Sequence, residues 1–231
     1  VTQWDVVQPV DPAPPPAFLA WLGHAGEDFE ADVVATLVDL HPGTDQVDGA
    51  LPTAEREART VAAMEGGAQV IVGGRLPVDH VGGRVAEPDL LVLDGGASTD
   101  GRWRYLPVEV KHHGMVVDDG DGAAAVVQPL EQLAPPAAAA TAHVGRRDAT
   151  AQGDLLQLAH YQRTLESCGR GTAGAPWAGV LGREGVVIWY RLDEPMWQHT
   201  DRHGDTFGHA SPLDVYDREF ADRLDIAAAA A

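Results

Sequence analysis

One short stretch limits the fold more than any other. The four apolar residues Leu90–Leu93 are enclosed by Pro88 before them and by Gly95 and Gly96 after them. A run of this length is too short for a helix and has no polar side, so it predicts a strand buried on both faces of a sheet. Residues 103–111 alternate well enough to form the next strand after a turn. Two strands joined this closely form a hairpin, which we expect to lie in a central sheet.

Helical patterns surround this hairpin. Residues 18–40 place Phe29, Val33, Val34 and Leu37 on one stripe at helical spacing, and a His-Pro-Gly sequence then ends the pattern. The other predicted elements are helices over 53–64, 154–166 and 213–224 and strands over 68–72, 75–80, 178–181 and 186–192. This order predicts an α/β fold in which a mixed central β-sheet is flanked by helices.

The sequence divides into three parts. Residues 1–17 form a proline-rich lead-in, 18–192 form one α/β domain, and 193–231 form a polar C-terminal segment without an assignable motif. Within the domain, residues 114–153 are rich in glycine, alanine and proline. They predict a flexible insertion, either a partly disordered lid or an uninformative surface loop. The alanine run at 227–231 leaves open that the chain is a fragment of a longer protein, with a further domain or a protein partner.

The charge balance limits the ways in which this chain can meet a nucleic acid. A formal net charge of −19 at pH 7 argues against a generic nucleic-acid-binding protein, because such proteins present a basic surface to phosphates. Net charge does not locate charges, so a small basic groove on an acidic body remains compatible with the sequence. A carboxylate cluster also binds phosphate through a cation, which inverts the local sign of charge.

Cysteine usage limits the kinds of site further. Cys168 is the single cysteine, which excludes a disulfide framework, a cysteine-based zinc site and an iron–sulfur cluster. One cysteine fits a reducing compartment. The sequence has no apolar run of about 18 residues and no secretory signal pattern, so we expect a cytoplasmic protein that does not cross a membrane.

Three charged residues lie at the ends of the hairpin strands: Asp89 at the start of the first strand, and Glu109 and Lys111 at the end of the second. Residues two apart on a strand point to the same face, so Glu109 and Lys111 project together, and the hairpin can place Asp89 beside them. Two converging carboxylates repel each other unless a cation lies between them, and oxygen ligands suit Mg²⁺ or Mn²⁺. The carbonyl of Val110 can supply another ligand, and Lys111 can orient water or stabilise a scissile phosphate.

These residues resemble the signature of a known family. Pro88-Asp89, followed 20 positions later by Glu109-Val110-Lys111, looks like the motif of the PD-(D/E)XK nucleases. The resemblance implies a restriction-endonuclease-like core and metal-dependent hydrolysis of DNA phosphodiester bonds, with Mg²⁺ or Mn²⁺ as the cofactor.

Further matches in the same chain order point to the RecB-like branch of that family. Gln157-x-x-x-Tyr161 resembles its Gln-x-x-x-Tyr helix, and the i,i+4 spacing puts both side chains on one helical face. Glu30, with Glu27 as the alternative, resembles the acid of its first helix, and His80 resembles a histidine of some members. The resemblance implies that Glu30 and His80 join the metal ligands and that Gln157 and Tyr161 orient the lysine or a phosphate. The implied substrate is single-stranded DNA or DNA with a free end.

Other polar residues are weaker candidates. His113 lies on the same strand face as Glu109 and Lys111, and it can contact phosphate or substrate or simply be a polar strand end. Arg84 is a candidate substrate contact. Arg146 and Arg147 are further candidate contacts to a DNA backbone.

Two other functions stay open at this point. One is a catalytically silent nucleic-acid- or protein-binding module with the same fold. In that case Glu109 and Lys111 form only a solvent-facing ion pair, which contributes about 0–1 kcal/mol and needs no metal. The other is a metallohydrolase that uses the same carboxylates on a small phosphoester.

Overall fold

The computed structural model of the protein describes residues 17–95, 100–117, 122–133, 142–200 and 206–230. The helices are α1 (Ala17–Leu40), α2 (Thr53–Gly66), α3 (Ala149–Ser167) and α4 (Pro212–Ala230), with a 3₁₀ turn at Leu130–Gln132. The strands are β1 (Thr44–Gln46), β2 (Val70–Val72), β3 (Leu90–Leu93), β4 (Tyr105–Val110), β5 (Ala123–Pro129), β6 (Ala142–Gly145), β7 (Trp177–Leu181), β8 (Val186–Arg191), β9 (Trp197–Thr200) and β10 (Thr206–Ala210). Residues 1–16 of the predicted proline-rich lead-in lie outside the described residues.

One large sheet organises these elements. Eight strands lie in the order β1-β2-β3-β4-β7-β8-β5-β6. The pairs β1–β2 and β4–β7 are parallel, and the other pairs are antiparallel. The predicted α/β fold with a mixed sheet flanked by helices is therefore confirmed. No helix in the described part of the chain is long and apolar enough to cross a membrane.

The strands at the centre of this sheet are buried on both faces. Leu90 of β3 belongs to one core cluster, together with Leu37 of α1, whereas Leu91 belongs to a second cluster, together with Leu155 of α3. Tyr105 of β4 lies in the same cluster as Leu91. Since side chains alternate along a strand, residues 89 and 109 face the side of the sheet that α3 covers. The apolar run that predicted β3 thus also fixes the face on which the nearby charged residues lie.

The segment predicted as a flexible insertion supplies two strands of the sheet. Residues 125–129 of β5 pair with β8 from Tyr190 to Val186, and β6 pairs with β5 at the sheet edge. Alanine has a weak preference for strands, so local sequence did not reveal β5. The exposed edge of β8 provides its hydrogen-bonding partner, and Ala125 and Val126 are buried there. Residues 118–121 and 134–141 of the segment lie outside the described residues.

Two other predictions were wrong in part. Residues 75–80 do not form a strand; they contain a single isolated bridge, between Asp79 and Arg84. The C-terminal segment is not a separate polar tail, because Leu213, Val215 and Tyr216 of α4 are buried in the core cluster that contains α3. The helix α4 therefore extends the domain beyond the predicted boundary at residue 192.

The tight packing of β6 gives a test of its place in the sheet. A Cβ added at Gly145 would lie 2.5 Å from Cε1 of Tyr190, a fully buried ring. We expect Gly145→Ala to lower the free energy of unfolding by about 1–3 kcal/mol, because the ring has no room to move. Gly153 of α3 has nothing within 4 Å of the same added atom. We expect Gly153→Ala to raise stability by about 0.5–1 kcal/mol.

Urea denaturation of the two variants and the wild type measures both effects. Equal stability of Gly145→Ala and the wild type would contradict the packing of β6 against β8.

Candidate active site

The register of β3 and β4 brings two carboxylates together. Leu90 lies opposite Val108, so the next position along the pair sets Asp89 opposite Glu109. Oδ2 of Asp89 accepts a hydrogen bond of 2.8 Å from the backbone N–H of Val110. This contact turns the Asp89 side chain toward the end of β4, where its carboxyl group interacts electrostatically with that of Glu109.

Lys111 lies beside this pair and is held from both sides. Its Nζ donates a hydrogen bond of 3.0 Å to Oε1 of Glu109 and one of 3.1 Å to Oε1 of Gln157. The side chain of Glu109 is 6% exposed and that of Lys111 is 23% exposed. The amine therefore lies between a buried carboxylate and the solvent, where it can meet a ligand.

The side-chain amide of Gln157 forms hydrogen bonds with Lys111, Glu109 and Tyr161. Its Nε2 donates hydrogen bonds to Oε1 of Glu109 at 2.7 Å and to the hydroxyl of Tyr161 at 2.6 Å. The amide thus presents its oxygen to Lys111 and its N–H groups to two acceptors, which uses both ends of the group. The spacing of four residues on α3 places Gln157 and Tyr161 one turn apart on the face toward β4.

Asp154 is a member of the site that the motif comparison missed. Its side chain is 11% exposed, and its Oδ1 lies 3.7 Å from Nζ of Lys111. Its Oδ2 lies 3.1 Å from Nε2 of His113. Asp154, Gln157 and Tyr161 are spaced i, i+3 and i+7 on α3, which puts them on one face. That spacing was visible in the sequence and would have identified Asp154 once the other two were chosen.

Burial shifts the titration of the acidic groups in this cluster. Burial, and then the neighbouring Asp89, raise the pKa of Glu109 to about 8. Burial also raises the pKa values of Asp89 and Asp154, although Lys111 opposes the shift in both. Burial alone would lower the pKa of Lys111, but Glu109 and Asp154 outweigh that effect and raise it. The site therefore holds more carboxyl groups than its single ammonium can neutralise.

The donor set at the strand ends fits a small divalent cation. Oε2 of Glu109 is buried and has no hydrogen-bonding partner, and the nearby Asp89 carboxyl group helps to raise the pKa of Glu109. Two carboxyl groups that meet in a buried place share either a proton or a cation. Hard oxygen ligands of this kind suit Mg²⁺ or Mn²⁺. The residues present are therefore compatible with an ion between Asp89 and Glu109.

Glu30 does not lie with these residues. Helix α1 packs on the opposite face of the sheet through Val33 and Leu37. The Glu30 side chain is exposed and lines a groove of about 630 Å³ together with Val34 and Gln46. Within the described part of the chain, no group of three or more Asp, Glu, His or Cys side chains is arranged to hold a metal ion. Glu30 therefore does not complete a ligand set with the two strand carboxylates.

His80 and Arg84 lie in the turn that precedes β3. Arg84 forms an ion pair of 2.8 Å with Asp79, and its Nε donates a hydrogen bond of 3.1 Å to the hydroxyl of Tyr216. Its guanidinium also lies 4.8 Å from the centre of the Phe220 ring. His80 is exposed in the turn that this ion pair closes. Arg84, predicted as a substrate contact, attaches α4 to this turn in the structure, because a long cation takes whichever acceptors the tertiary fold brings near.

The other basic candidates lie beside the site. His113 is paired with Asp154, so its ring does not point freely to solvent. Nη1 of Arg146 donates a hydrogen bond of 3.0 Å to the carbonyl of Gly114, and Arg146 also pairs with Asp148. Arg147 is exposed.

Lys111 is the only lysine in the chain, since all 15 other basic residues among the 16 are arginines. The fold puts this one lysine side chain against Glu109. Lysine differs from arginine in being a compact point charge on a flexible stem. The side chain at residue 111 is therefore chemically distinct from every other cationic side chain of the chain.

Comparisons with known proteins assign no chemistry to these side chains. No family model, no curated protein and no solved structure matches the chain. Support for a function therefore comes from the arrangement of Asp89, Glu109, Lys111 and Gln157 itself.

The raised pKa of Glu109 has a consequence for stability. A carboxyl group whose pKa rises from 4.5 to about 8 on folding binds a proton more tightly in the folded state. Its contribution is most favourable below pH 4.5 and is lost as the pH rises toward 8. In EDTA, we expect the wild type to lose on the order of 2–4 kcal/mol of stability relative to Glu109→Gln between pH 5 and pH 8.

Urea denaturation at several pH values measures this difference. Glu55→Gln, on the exposed side of α2, is the matched control and should follow the wild type. A constant difference between Glu109→Gln and the wild type over this range would show that Glu109 titrates normally.

Proposed function

We propose that this chain is a divalent-metal-dependent deoxyribonuclease of the PD-(D/E)XK superfamily and its RecB-like branch, with a restriction-endonuclease-like core. The observation that carries the proposal is a set of hydrogen bonds at the end of β4. The carboxylate of Asp89 accepts from the N–H of Val110, and the amine of Lys111 donates to both Glu109 and Gln157. With Tyr161, which accepts a hydrogen bond from Gln157, these are the five side chains of the Asp, Glu-x-Lys and Gln-x-x-x-Tyr motifs, and they lie on β3, α3 and the end of β4.

The proposed ion is Mg²⁺ or Mn²⁺, held by Asp89, Glu109 and the backbone carbonyl of Val110. A bound divalent ion supplies positive charge that lowers the pKa of a water molecule and offsets negative charge on a phosphate. Asp89 and Glu109 would hold such an ion in place of the proton that burial favours on Glu109.

The amine of Lys111 is the group that meets the substrate. It is partly exposed, whereas Glu109 beneath it is buried. Three oxygen atoms, from Glu109, Gln157 and Asp154, surround the ammonium and fix its position before a ligand arrives. A positive charge fixed in advance stabilises the charge that develops on a phosphodiester in the transition state without a cost for reorientation. The same ammonium can orient the attacking water molecule.

Gln157 and Tyr161 are positioning residues in this mechanism. The amide oxygen of Gln157 fixes Lys111, and the hydroxyl of Tyr161 accepts from the amide N–H and so fixes Gln157. Both act through Lys111 and Glu109. DNA with a single strand or a free end is the proposed substrate, on the strength of the resemblance to the RecB-like branch.

A nuclease assay on a labelled single-stranded oligonucleotide with Mn²⁺ tests the proposal. We expect metal-dependent cleavage by the wild type and a loss of at least about 100-fold in kcat/KM for Lys111→Ala, because the fixed charge is removed. We expect Gln157→Leu to lose about 10–100-fold, mainly in kcat, because the amine remains but is no longer held.

Arg59→Ala is the control, because Arg59 is exposed on α2 and its loss changes the net charge by the same amount as the loss of Lys111. Equal, metal-independent products from the wild type and Lys111→Ala would end the nuclease proposal and favour a silent binding module. Turnover of an aryl phosphodiester without cleavage of any oligonucleotide would favour a hydrolase of small phosphoesters.

A further inference from the structure

Most arginines of this acidic chain are already neutralised by a carboxylate. Eight of them form an ion pair with a described acidic residue: Arg56, Arg75, Arg84, Arg104, Arg146, Arg163, Arg170 and Arg191. Arg147 and Arg183 are exposed and have no ion pair with any described residue. They are therefore among the few cations that can bind an anion without first losing a partner.

Backbone hydrogen bonds place the segments that carry these two arginines beside the site. The N–H of Lys111 donates to the carbonyl of Leu181, and two residues later the N–H of Arg183 donates to the carbonyl of His113 at 3.1 Å. On the other side, the N–H of Arg146 donates to the carbonyl of Met115 at 3.0 Å. The chain from Lys111 to Met115 thus runs between a segment that carries Arg183 and a segment that carries Arg146 and Arg147.

Close packing holds this loop and its neighbours in place. Oε1 of Glu184 accepts hydrogen bonds from the N–H groups of Met115 and Val116, at 2.9 and 3.1 Å. A Cβ added at Gly182 would lie 2.9 Å from the carbonyl oxygen of His113, and one added at Gly114 would lie 2.9 Å from Oε1 of Glu184. Segments packed this tightly keep the backbone of Arg183 at a fixed place relative to that of Lys111.

We infer that Arg147 and Arg183 form a phosphate-binding rim beside Lys111, which binds backbone phosphates of a nucleic-acid strand on the two sides of the loop from Lys111 to Met115. This inference rests on the proposed function and adds the path of the substrate. Each guanidinium presents a planar fork of N–H donors that matches phosphate oxygens.

The charge of the whole molecule makes such a rim necessary for that substrate. A chain with a net charge of −19 repels a polyanion unless cations are concentrated where it binds. The rim, Lys111 and a divalent ion would concentrate positive charge beside the loop from Lys111 to Met115. Arg59 and Arg223 are also exposed and without an ion pair to a described residue, but they lie on α2 and α4. They allow a control with the same change of charge at other places.

The test measures binding rather than cleavage. In a Lys111→Ala parent with Mn²⁺, fluorescence anisotropy with a labelled 20-nucleotide single-stranded DNA gives Kd at several salt concentrations. We expect Arg147→Gln with Arg183→Gln to raise Kd about 10-fold or more at 0.1 M salt. The slope of log Kd against log salt concentration should fall by about 1.4, since each lost phosphate contact removes roughly 0.7. Arg59→Gln with Arg223→Gln should leave the slope unchanged.

The outcomes separate the rim from the function on which it rests. Equal slopes for the rim variant and the control, in a protein whose wild type cleaves the same oligonucleotide, would overturn the rim and leave the nuclease intact. A parent that does not bind the oligonucleotide, together with a wild type that does not cleave it, would overturn both. Circular dichroism melting curves of the parent and the two double variants establish that each is folded.

Discussion

The candidate site depends on the register of one strand pair. Leu90 lies opposite Val108, and only this alignment sets Asp89 against Glu109. Because side chains alternate between the two faces of a sheet, a slip of one residue would turn one carboxylate toward α1 and leave the other toward α3. The same slip would move Leu91 out of its core cluster, so apolar burial and the approach of the two acids are fixed by the same pairing.

That pairing gathers groups that oppose folding by themselves. A buried carboxyl group beside another carboxyl group raises the free energy of the folded state, which is visible in the raised pKa of Glu109. The strands on which the acids sit are buried on both faces, and this burial offsets the cost. Gln157 adds contacts that neither a carboxylate nor an ammonium group could make together, because its amide accepts from Lys111 and donates to Glu109 at once. A polar cluster that lowers the stability of the fold is typical of functional sites.

The sequence predicted those elements whose residue pattern lies within the element itself. The apolar run of β3, the strand β4 and the amphipathic helix α3 carry their own patterns, and so did the shared face of Gln157 and Tyr161. The strand β5 did not, because an alanine-rich segment becomes a strand only when β8 offers it an edge. The partners of Arg84 were not predictable for a related reason: a long polar side chain pairs with whatever distant segment the fold brings near, such as Tyr216 of α4.

The presence of one lysine in the chain has a practical consequence. Reagents that acylate primary amines can react with only one side chain, that of Lys111, apart from the terminal amino group. The extent of labelling at this side chain, located by peptide mapping, therefore reports on whether a ligand covers the amine. The same selectivity would allow a fluorophore or a photo-crosslinker to be attached at residue 111 of the unmodified protein, where it could capture whatever binds there.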